Sequence, residues 1–261
     1  MWRPALLTVE SVVLLEYRMK YLSFMLVLLG AFFSSATVMA SPALGAASVH
    51  RTIEISSQFS EIETNVRGAA VRVVTSDGGH GSGSLVQYKD MQLVITARHV
   101  TSEIIGTVYR VIRGTELKMA VLVYSNENRD HAILWVTEPY DEGAIRWDPG
   151  KTLAPVGQRI TYSGYPGAHN LMTFRGRVAG FETMSDGSTN ILLHTYGYFG
   201  CSGSLVYSDA GKVVGILWGI DVNRGVPVES MVWVSPIQNL NMPLALRSIC
   251  RSLDNGPRAC Q

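Results

Sequence analysis

Residues 83–100 read GSLVQYKDMQLVITARHV, in which two short apolar runs, SLVQY and LVITA, lie on either side of a polar turn. The same alternation of apolar runs and polar turns continues on both sides of this stretch. The apolar runs are AAVRVVT, VYRVI, MAVLVY and AILWV, and the turn-like segments are SDGGHGSG, RGTE and SNENRD. Short runs rich in Val, Ile, Tyr and Thr at this spacing are typical of a β-sandwich or β-barrel. The first half of the chain is therefore predicted to be all-β.

A second group of β-rich runs follows a segment of different composition. Residues 139–157, PYDEGAIRWDPGKTLAPVG, contain three prolines and little periodicity, and they are predicted to be an inter-domain linker. After them come RITYSGY, FRGRVAGF, NILLHTY, GSLVY, KVVGILW and SMVWV. The pentapeptide SGSLV occurs at residues 82–86 and again at 202–206, each time before a polar turn and another apolar run. Unless this match is a coincidence of small residues, it indicates two barrels built on one plan.

The end of the chain has helical periodicity. Residues 236–253 carry apolar side chains that roughly share one helical face: Ile237, Leu240, Leu244 and Ile249. We therefore expect a closing helix over these residues.

Composition supports a globular β protein. Apolar residues make up 47% of the 261-residue chain, enough to fill a core, which argues against wholesale disorder. Twenty-five glycines and only 16% charged residues suit a turn-rich β protein better than a helical bundle. The net charge is +1 without long runs of either sign, so no nucleic-acid partner is expected.

The N-terminal region has the features of an export signal. Arg18 and Lys20 precede the apolar stretch YLSFMLVLLGAFF, and the small residues of SSATVMA follow it. A basic start, a short apolar segment and a Val-x-Ala end predict a secretory signal over residues 1–40, cleaved after Ala40.

An uncleaved signal anchor is the alternative, because residues 21–40 are nearly long enough to span a bilayer. Met19 is an alternative start, since the region before the apolar stretch is unusually long. With either signal, the rest of the chain is expected to be exported, to the periplasm or outside the cell. Contact with a membrane is expected only if the N-terminal segment is not cleaved.

Two of the three cysteines, Cys250 and Cys260, lie close together in the tail CRSLDNGPRAC. In an oxidising compartment they can close a short loop and are a candidate disulfide, the alternative being two free thiols. Cys201 has no partner in this scheme.

Ser202 lies in FGCSGSLV, a glycine-rich segment suited to a nucleophile. Acyl transfer at neutral pH needs an activated nucleophile, a base, an orienting acid and donors for the developing oxyanion. Gly200 permits a backbone conformation closed to larger residues, which would let the N–H groups of Gly200 and Ser202 converge on one oxygen. The alternative is an ordinary glycine-rich hairpin.

Two further residues, His99 and Asp130, complete a catalytic set. His99 ends the run LVITA, where a rigid strand can hold an imidazole over a cleft. Asp130 precedes the run HAILWV, and an aspartate at the mouth of such a strand can bond to an imidazole and fix its tautomer. Taken singly, these residues also fit a structural histidine and a surface turn. The order His99, Asp130, Ser202 is chymotrypsin-like and differs from the Ser–Asp–His order of α/β-hydrolases.

Three motifs in this order resemble those of trypsin-like serine peptidases. ITARHV is similar to the Thr-Ala-x-His motif, RDHAIL to the Asp-x-Ala-hydrophobic motif, and FGCSGS to the Gly-x-Ser-Gly motif. Supporting matches are GSGSLV, SGYPG and VVGILWG, and the compact spacing is most similar to bacterial Deg/HtrA and glutamyl endopeptidases. The resemblance covers residues 69–246. It implies an all-β chymotrypsin fold of two six-stranded antiparallel β-barrels with a C-terminal helix, an active site between the barrels, and no metal or organic cofactor.

Cys201 departs from the pattern of animal trypsin-like enzymes, which carry an aspartate there that pairs with a newly cut N-terminus. An uncharged thiol cannot make that ion pair, so no ionic activation switch is expected. Viral cysteine proteases of this fold place their cysteine at the position of Ser202, one residue further on. Cys201 is therefore not expected to be the nucleophile.

The resemblance also implies where a substrate binds. In this fold the strand after the nucleophile, here ending in Leu217, Trp218 and Gly219, pairs with the substrate backbone. Leu217 occupies the position of a histidine that meets the substrate carboxylate in glutamyl enzymes, which favours an apolar or small P1 residue. His194 and Thr195 are candidates for the S1 wall, although His194 also fits an ordinary strand residue.

Together these patterns predict an exported serine endopeptidase with a polypeptide substrate. The alternative is a catalytically silent chymotrypsin-fold module that binds peptides or acts as a scaffold. The expected organisation is a signal peptide or anchor, a connector, an N-terminal barrel, a C-terminal barrel and a tail, over residues 1–40, 41–60, 61–148, 149–246 and 247–261.

Overall fold

The computed structural model describes residues 58–252, apart from residues 76, 103 and 168. The expected signal or anchor, most of the connector, and Cys260 of the candidate disulfide lie outside the described residues. Within the described part of the chain, no helix is both long and apolar enough to cross a membrane. All described residues belong to one compact unit.

Six antiparallel strands close the first barrel: β1 (Ala70–Val74), β2 (His80–Tyr88), β3 (Met91–Ala97), β4 (Val108–Arg113), β5 (Glu116–Asn126) and β6 (His131–Val136). They are hydrogen-bonded in the order β1–β4–β5–β6–β3–β2, and β2 pairs back with β1, placing Gly83 opposite Val71. The predicted turn RGTE is a tight hairpin in which Gly114 has a φ of 59°. A glycine suits this turn because a side chain would strain the left-handed backbone.

The second barrel is also closed by six antiparallel strands: β8 (Arg159–Gly164), β9 (Met172–Thr183), β10 (Thr189–His194), β11 (Leu205–Ser208), β12 (Val213–Asn223) and β13 (Val226–Pro236). Their order around the barrel is β10–β13–β12–β11–β8–β9, with β9 paired to β10. The prediction of two six-stranded barrels is therefore confirmed.

The segment between the barrels, predicted as a linker, is fastened to both. Its short strand β7 (Ile145–Arg146) adds in parallel to β2. The N–H of Trp147 donates to the carbonyl of Gln87 at 3.0 Å, and the N–H of Gly150 donates to Val213 at 2.9 Å. These bonds satisfy backbone groups that a free linker would leave to water.

Apolar side chains of both halves pack in one cluster where the barrels meet. Leu205 and Ile216 of the second barrel belong to the same buried cluster as Leu93 and Ile133 of the first. Burial of each such side chain contributes about 1.5–3 kcal/mol. The shared cluster fixes how the barrels face each other, and hence the site between them.

A helix that the sequence analysis missed precedes the first strand. Helix α1 (Glu61–Ala69) begins after Ser60, whose side chain accepts from the N–H of Glu63 while the Glu63 carboxylate accepts from the N–H of Ser60. This reciprocal capping box is readable as Ser-x-x-Glu. Glu63 also forms a bidentate ion pair with Arg175 of β9. The first residues assigned to the N-terminal barrel are thus helical and bound to the second barrel.

The C-terminal helix exists, but its predicted extent is wrong. Helix α2 spans Met242–Ser252, and Ile237–Asn239 form a separate 3-10 turn. Asn241 starts the helix, since its side chain accepts from the N–H of Leu244 at 3.0 Å.

This new start changes which face is buried. Leu244 was expected inside but is 47% exposed, whereas Met242 and Ala245 are buried. The predicted helical periodicity does not hold, because Pro243 fits the first turn of a helix but not its interior. The helix therefore cannot continue back to residue 236. The helix also extends into the residues expected to be a tail.

Candidate active site

His99 stands at the end of β3, in a 3-10 turn over Arg98–Val100. Its ring Nδ1 lies 2.7 Å from Oδ2 of Asp130, and its backbone N–H donates to Oδ1 of the same carboxylate at 2.8 Å. The imidazole side chain is 46% exposed. Asp130 therefore contacts His99 at both its ring and its backbone N–H, while nearly half of the His99 side chain stays exposed.

Asp130 has an unusual backbone conformation between β5 and β6. Its φ of 52° lies in the left-handed region, which aspartate tolerates better than most residues. Its carbonyl accepts from the N–H of Arg98 at 3.0 Å, and its N–H donates to Glu127 at 3.2 Å. The turn before HAILWV thus points the carboxylate back at the residues that follow β3.

His131, next in the chain, is a site residue to which the sequence analysis assigned no role. It is completely buried, and its Nε2 lies 2.8 Å from the hydroxyl of Ser235 on β13. Its Nδ1 has no hydrogen-bond partner in the described structure. Burial lowers the pKa of His131 to about 4, so the ring is neutral near pH 7. The signal in the sequence was its place directly after Asp130 and before the apolar run AILWV.

Ser202 lies in a turn between two glycines with positive φ. Gly200 and Gly203 both have φ of 93°, a conformation that L side chains rarely adopt. The Ser202 hydroxyl donates to the carbonyl of Trp218 at 3.5 Å, and within the described residues it has no hydrogen bond to His99. In free enzymes the bond between nucleophile and base is often long or absent, so this rotamer is compatible with catalysis.

The backbone around Ser202 presents two free donors. The N–H groups of Gly200 and Ser202 have no hydrogen-bond acceptor in the part of the chain that the structure describes. The N–H of Cys201, which lies between them, instead donates to the carbonyl of Tyr198 at 3.0 Å. Two neighbouring unpaired donors beside a serine can receive an oxyanion.

Cys201 is completely buried. Burial also raises the pKa of its thiol, so the reactive thiolate is disfavoured. The side chain joins the apolar cluster inside the second barrel, together with Tyr162 and Leu217. Cys201 therefore packs inside the second barrel.

His194 ends β10 and Thr195 directly follows it. They line a cleft of about 1150 Å³ with Arg175 and Tyr196, and none of the three proposed triad residues lines it. The hydroxyl of Thr195 donates to the carbonyl of Arg175 at 3.0 Å. This hydroxyl is therefore engaged in holding β9 and β10 together.

The strand after the nucleophile is placed next to Ser202. Leu217 is buried and its carbonyl accepts from the N–H of Gly203 at 2.7 Å. The ring of Trp218 stacks on Trp233, with centroids 6.2 Å apart. A side chain at Gly219 would meet no atom within 4 Å, so the backbone there borders open space.

No cluster of three or more metal-ligating side chains occurs among the residues that the structure describes.

The family model of the trypsin-like peptidase domain matches residues 81–216, just over half of the chain. The chain belongs to the trypsin-like peptidase family. The matched region of this peptidase contains His99, Asp130 and Ser202. A sequence search of curated proteins found no significant match.

Solved structures of serine proteases have the same fold as this peptidase. The active form of the Rv3671c protease from M. tuberculosis superposes with a TM-score of 0.61 at 17% identity, covering 77% of this chain and 88% of that one. The inactive form of Rv3671c gives a TM-score of 0.57 at 18% identity, covering 71% and 91%. A serine endoprotease from Yersinia pestis gives 0.57 at 17% identity, covering 76% and 67%. Family and fold agree on a serine endopeptidase.

Proposed function

We propose that this peptidase cleaves polypeptide chains through an acyl-enzyme formed on Ser202, with His99 as the general base and Asp130 as the orienting acid. The observation that carries the proposal is the 2.7 Å contact between His99 Nδ1 and Asp130 Oδ2, made at the ends of two strands of the first barrel. This contact fixes the tautomer that leaves Nε2 as the proton acceptor. His99 then gives this proton to the leaving amine as the C–N bond breaks, and a water molecule deprotonated by His99 hydrolyses the acyl-enzyme and frees Ser202.

We expect the nucleophile to approach this base when its own side chain rotates. In the free protein the Ser202 hydroxyl points to the carbonyl of Trp218, at a bond length of 3.5 Å, which is weak. A change of the χ1 rotamer of Ser202 is expected when a substrate binds beside it, because staggered rotamers differ little in energy. His99 then removes the hydroxyl proton as oxygen attacks the scissile carbonyl.

The N–H groups of Gly200 and Ser202 are proposed to hold the oxyanion of the tetrahedral intermediate. Their support is that both donors lack acceptors among the described residues. Preorganised donors of this kind contribute about 10²–10³-fold to the rate, because they need no rearrangement when charge develops.

A substrate chain is proposed to add to the free edge of β12 at Trp218 and Gly219. The strand β11 ends its pairing with β12 at Leu205 opposite Ile216, so this edge has no neighbouring strand in the described structure beyond Leu217. Main-chain hydrogen bonds along such an edge bind a peptide with little regard to its sequence. At P1, the substrate residue just before the scissile bond, an apolar or small side chain remains the proposed preference.

Export is proposed from the sequence of residues 1–40 alone. Expression of the full chain followed by N-terminal sequencing of the exported product tests it. A product beginning at Ser41 supports a cleaved signal, while full-length protein in the membrane fraction supports an anchor. Intact protein in the cytoplasm overturns export.

The catalytic proposal is tested with a fluorophosphonate probe, which labels a serine only where a base activates it. Wild-type protein should be labelled on Ser202, as shown by peptide mass spectrometry, and His99→Ala should suppress labelling. A folded wild-type protein that neither reacts nor cleaves casein would instead be the catalytically silent module.

A further inference from the structure

We propose that Ser82 is a positioning residue that holds the Gly200–Ser202 loop with its two oxyanion donors exposed. The proposal rests on the function proposed above. It goes beyond it by assigning a role to a residue of the first barrel, 118 positions from Gly200 in the chain. Ser82 belongs to GSGSLV on β2 and does not touch the reacting atoms.

Ser82 forms four hydrogen bonds, three of them to the Gly200–Ser202 loop and to SGYPG. Its hydroxyl donates to the carbonyl of Gly200 at 2.6 Å and accepts from the N–H of Tyr165 at 2.9 Å. Its backbone N–H donates to the carbonyl of Ser202 at 2.8 Å. Its own carbonyl accepts from the hydroxyl of Thr96 at 2.7 Å. Ser82 is completely buried, so water does not replace these partners.

These bonds determine where the N–H groups of the loop point. In a trans peptide unit the C=O and the following N–H point in opposite directions, so anchoring one aims the other. Ser82 anchors the carbonyl of Gly200, and the next N–H, that of Cys201, accordingly points away from it, towards Tyr198. The N–H of Cys201 therefore does not point to the side where an oxyanion would bind. The N–H groups of Gly200 and Ser202 on either side of it stay free.

The two donor-bearing peptide units are anchored in the same way. The carbonyl of Phe199 accepts from the N–H of Gly167 at 2.6 Å, which turns the N–H of Gly200 to the opposite side. The carbonyl of Cys201 accepts from the N–H of Ser204 at 3.1 Å, which turns the N–H of Ser202 in the same manner.

Ser82 also holds the turn that supplies the first of these anchors. Gly167 belongs to SGYPG, and Ser82 binds the N–H of Tyr165 in the same turn. The turn is further held by His80, whose Nε2 lies 2.9 Å from the carbonyl of Tyr165. A side chain at Gly200 would overlap that carbonyl, so the loop and the turn fit only with a glycine here. One hydroxyl thus links the first barrel, the SGYPG turn and the oxyanion loop.

The test compares Ser82→Ala with Ser84→Ala. Ser84 is a matched control because it lies two residues on along β2, is also buried, and also binds the second barrel, accepting from the N–H of Leu205 at 3.3 Å. It has no bond to the Gly200–Ser202 loop. Both variants lose one buried hydroxyl, so thermal unfolding should show comparable destabilisation.

Only Ser82→Ala should impair oxyanion binding. We expect its kcat on a peptide ester to fall about 10-fold to 100-fold, less than the 10²–10³-fold that follows loss of an oxyanion donor itself. Its KM should change little, and its affinity for a peptide aldehyde, which binds as an oxyanion-bearing adduct, should fall by the same factor as kcat. Ser84→Ala should leave both quantities within about twofold of wild type, as expected for a substitution away from the reacting groups.

The results distinguish a failure of the proposed function from a failure of the role proposed for Ser82. If wild-type protein neither cleaves the ester nor reacts with a fluorophosphonate, the proposed function itself is wrong. If wild-type protein is active and Ser82→Ala keeps its kcat and aldehyde affinity, only the role of Ser82 is wrong. Should Ser82→Ala not fold, Ser82→Cys provides a nearly isosteric variant whose thiol is a weak donor. Wild-type kcat in a folded Ser82→Cys protein would likewise overturn the proposal.

Discussion

The imidazole of His131 and the hydroxyl of Ser235 lie 2.8 Å apart, joining a strand of the first barrel to a strand of the second. Both residues are buried, and His131 directly follows Asp130 in the chain. A neutral ring is favoured there, because burial disfavours an imidazolium more than the nearby Asp130 carboxylate favours it, and Nδ1 has no partner among the described residues. This relationship makes the stability of the protein depend on pH.

The pH dependence has a definite sign. The pKa of His131 is lowered by burial from 6.5 to about 4 in the folded protein, so the unfolded chain binds more protons between these values. Stability should therefore be full above pH 6.5 and decline as the pH falls towards 4, by about 3 kcal/mol from this residue. Denaturant unfolding of wild type and His131→Gln from pH 7.5 to 4.5 measures the difference. His169→Gln, at an exposed histidine, is the control and should follow wild type. Parallel curves for wild type and His131→Gln would contradict the expectation.

Substitution of Ser202 is expected to reduce activity far more than substitution of Cys201. Ser202→Ala should lower kcat by about 10⁶-fold, because serine and histidine act as a unit, and should leave the unfolding temperature nearly unchanged. Cys201→Ser should retain activity, at the expense of some stability, since a hydroxyl then replaces a buried thiol. Casein hydrolysis and thermal unfolding of both variants provide the comparison. Activity that survives Ser202→Ala but not Cys201→Ser would identify a cysteine protease.

Activity should not depend on the identity of the N-terminal residue. Cys201 is buried and its thiol remains protonated, so it offers no charge for a new N-terminus to neutralise. Proteins that begin at any residue from Ser41 to Thr52, with an added Met or Gly, should therefore be equally active on casein. Truncation beyond Ser60 is the informative control, since it removes the cap of α1 and should reduce stability. Activity confined to one particular N-terminus would show that an activation switch persists.

The ion pair between Glu63 and Arg175 should stabilise the protein at neutral pH. Arg175 and the Ser60 cap together lower the pKa of Glu63 to about 2, so its contribution is full above pH 4.5 and is lost as the pH falls towards 2. Glu63→Gln should lower the free energy of unfolding at pH 7 by roughly 1.5–3 kcal/mol, the value of hydrogen bonds to a charged group. The difference from wild type should narrow below pH 4.5. Glu61→Gln removes an exposed acid from the same turn and should have little effect. An equal loss in both variants would assign the effect to the helix dipole.

The positions of the strands and of the proposed triad were readable from local sequence. Runs such as LVITA and HAILWV became β3 and β6, because β-branched residues bounded by turns have few alternatives to a strand. His99 and Asp130 flank these runs, so predicting the strands also placed the two side chains at strand ends. The Ser60-x-x-Glu63 capping box at the start of α1 is an equally local signal.

Local periodicity failed at the C-terminus for a physical reason. The spacing of Ile237, Leu240 and Leu244 fits one helix, but Pro243 requires a helix to begin next to it. The buried face is therefore that of Met242 and Ala245. Which apolar residues of a short segment are buried depends on where the helix starts and on what it packs against.

Only the tertiary structure decided which residues support the site. Ser82 meets Gly200 across 118 positions of the chain and His131 meets Ser235 across 104, and no pattern within either strand specifies its partner. Such pairs arise when two closed barrels pack through a shared apolar cluster and most buried polar groups find a partner there. The sequence alone determined the strands, their turns and the residues suited to catalysis, because these follow from the conformational preferences of neighbouring residues. The packing of the barrels determined which hydroxyl faces which carbonyl, because burial makes an unmet hydrogen bond costly.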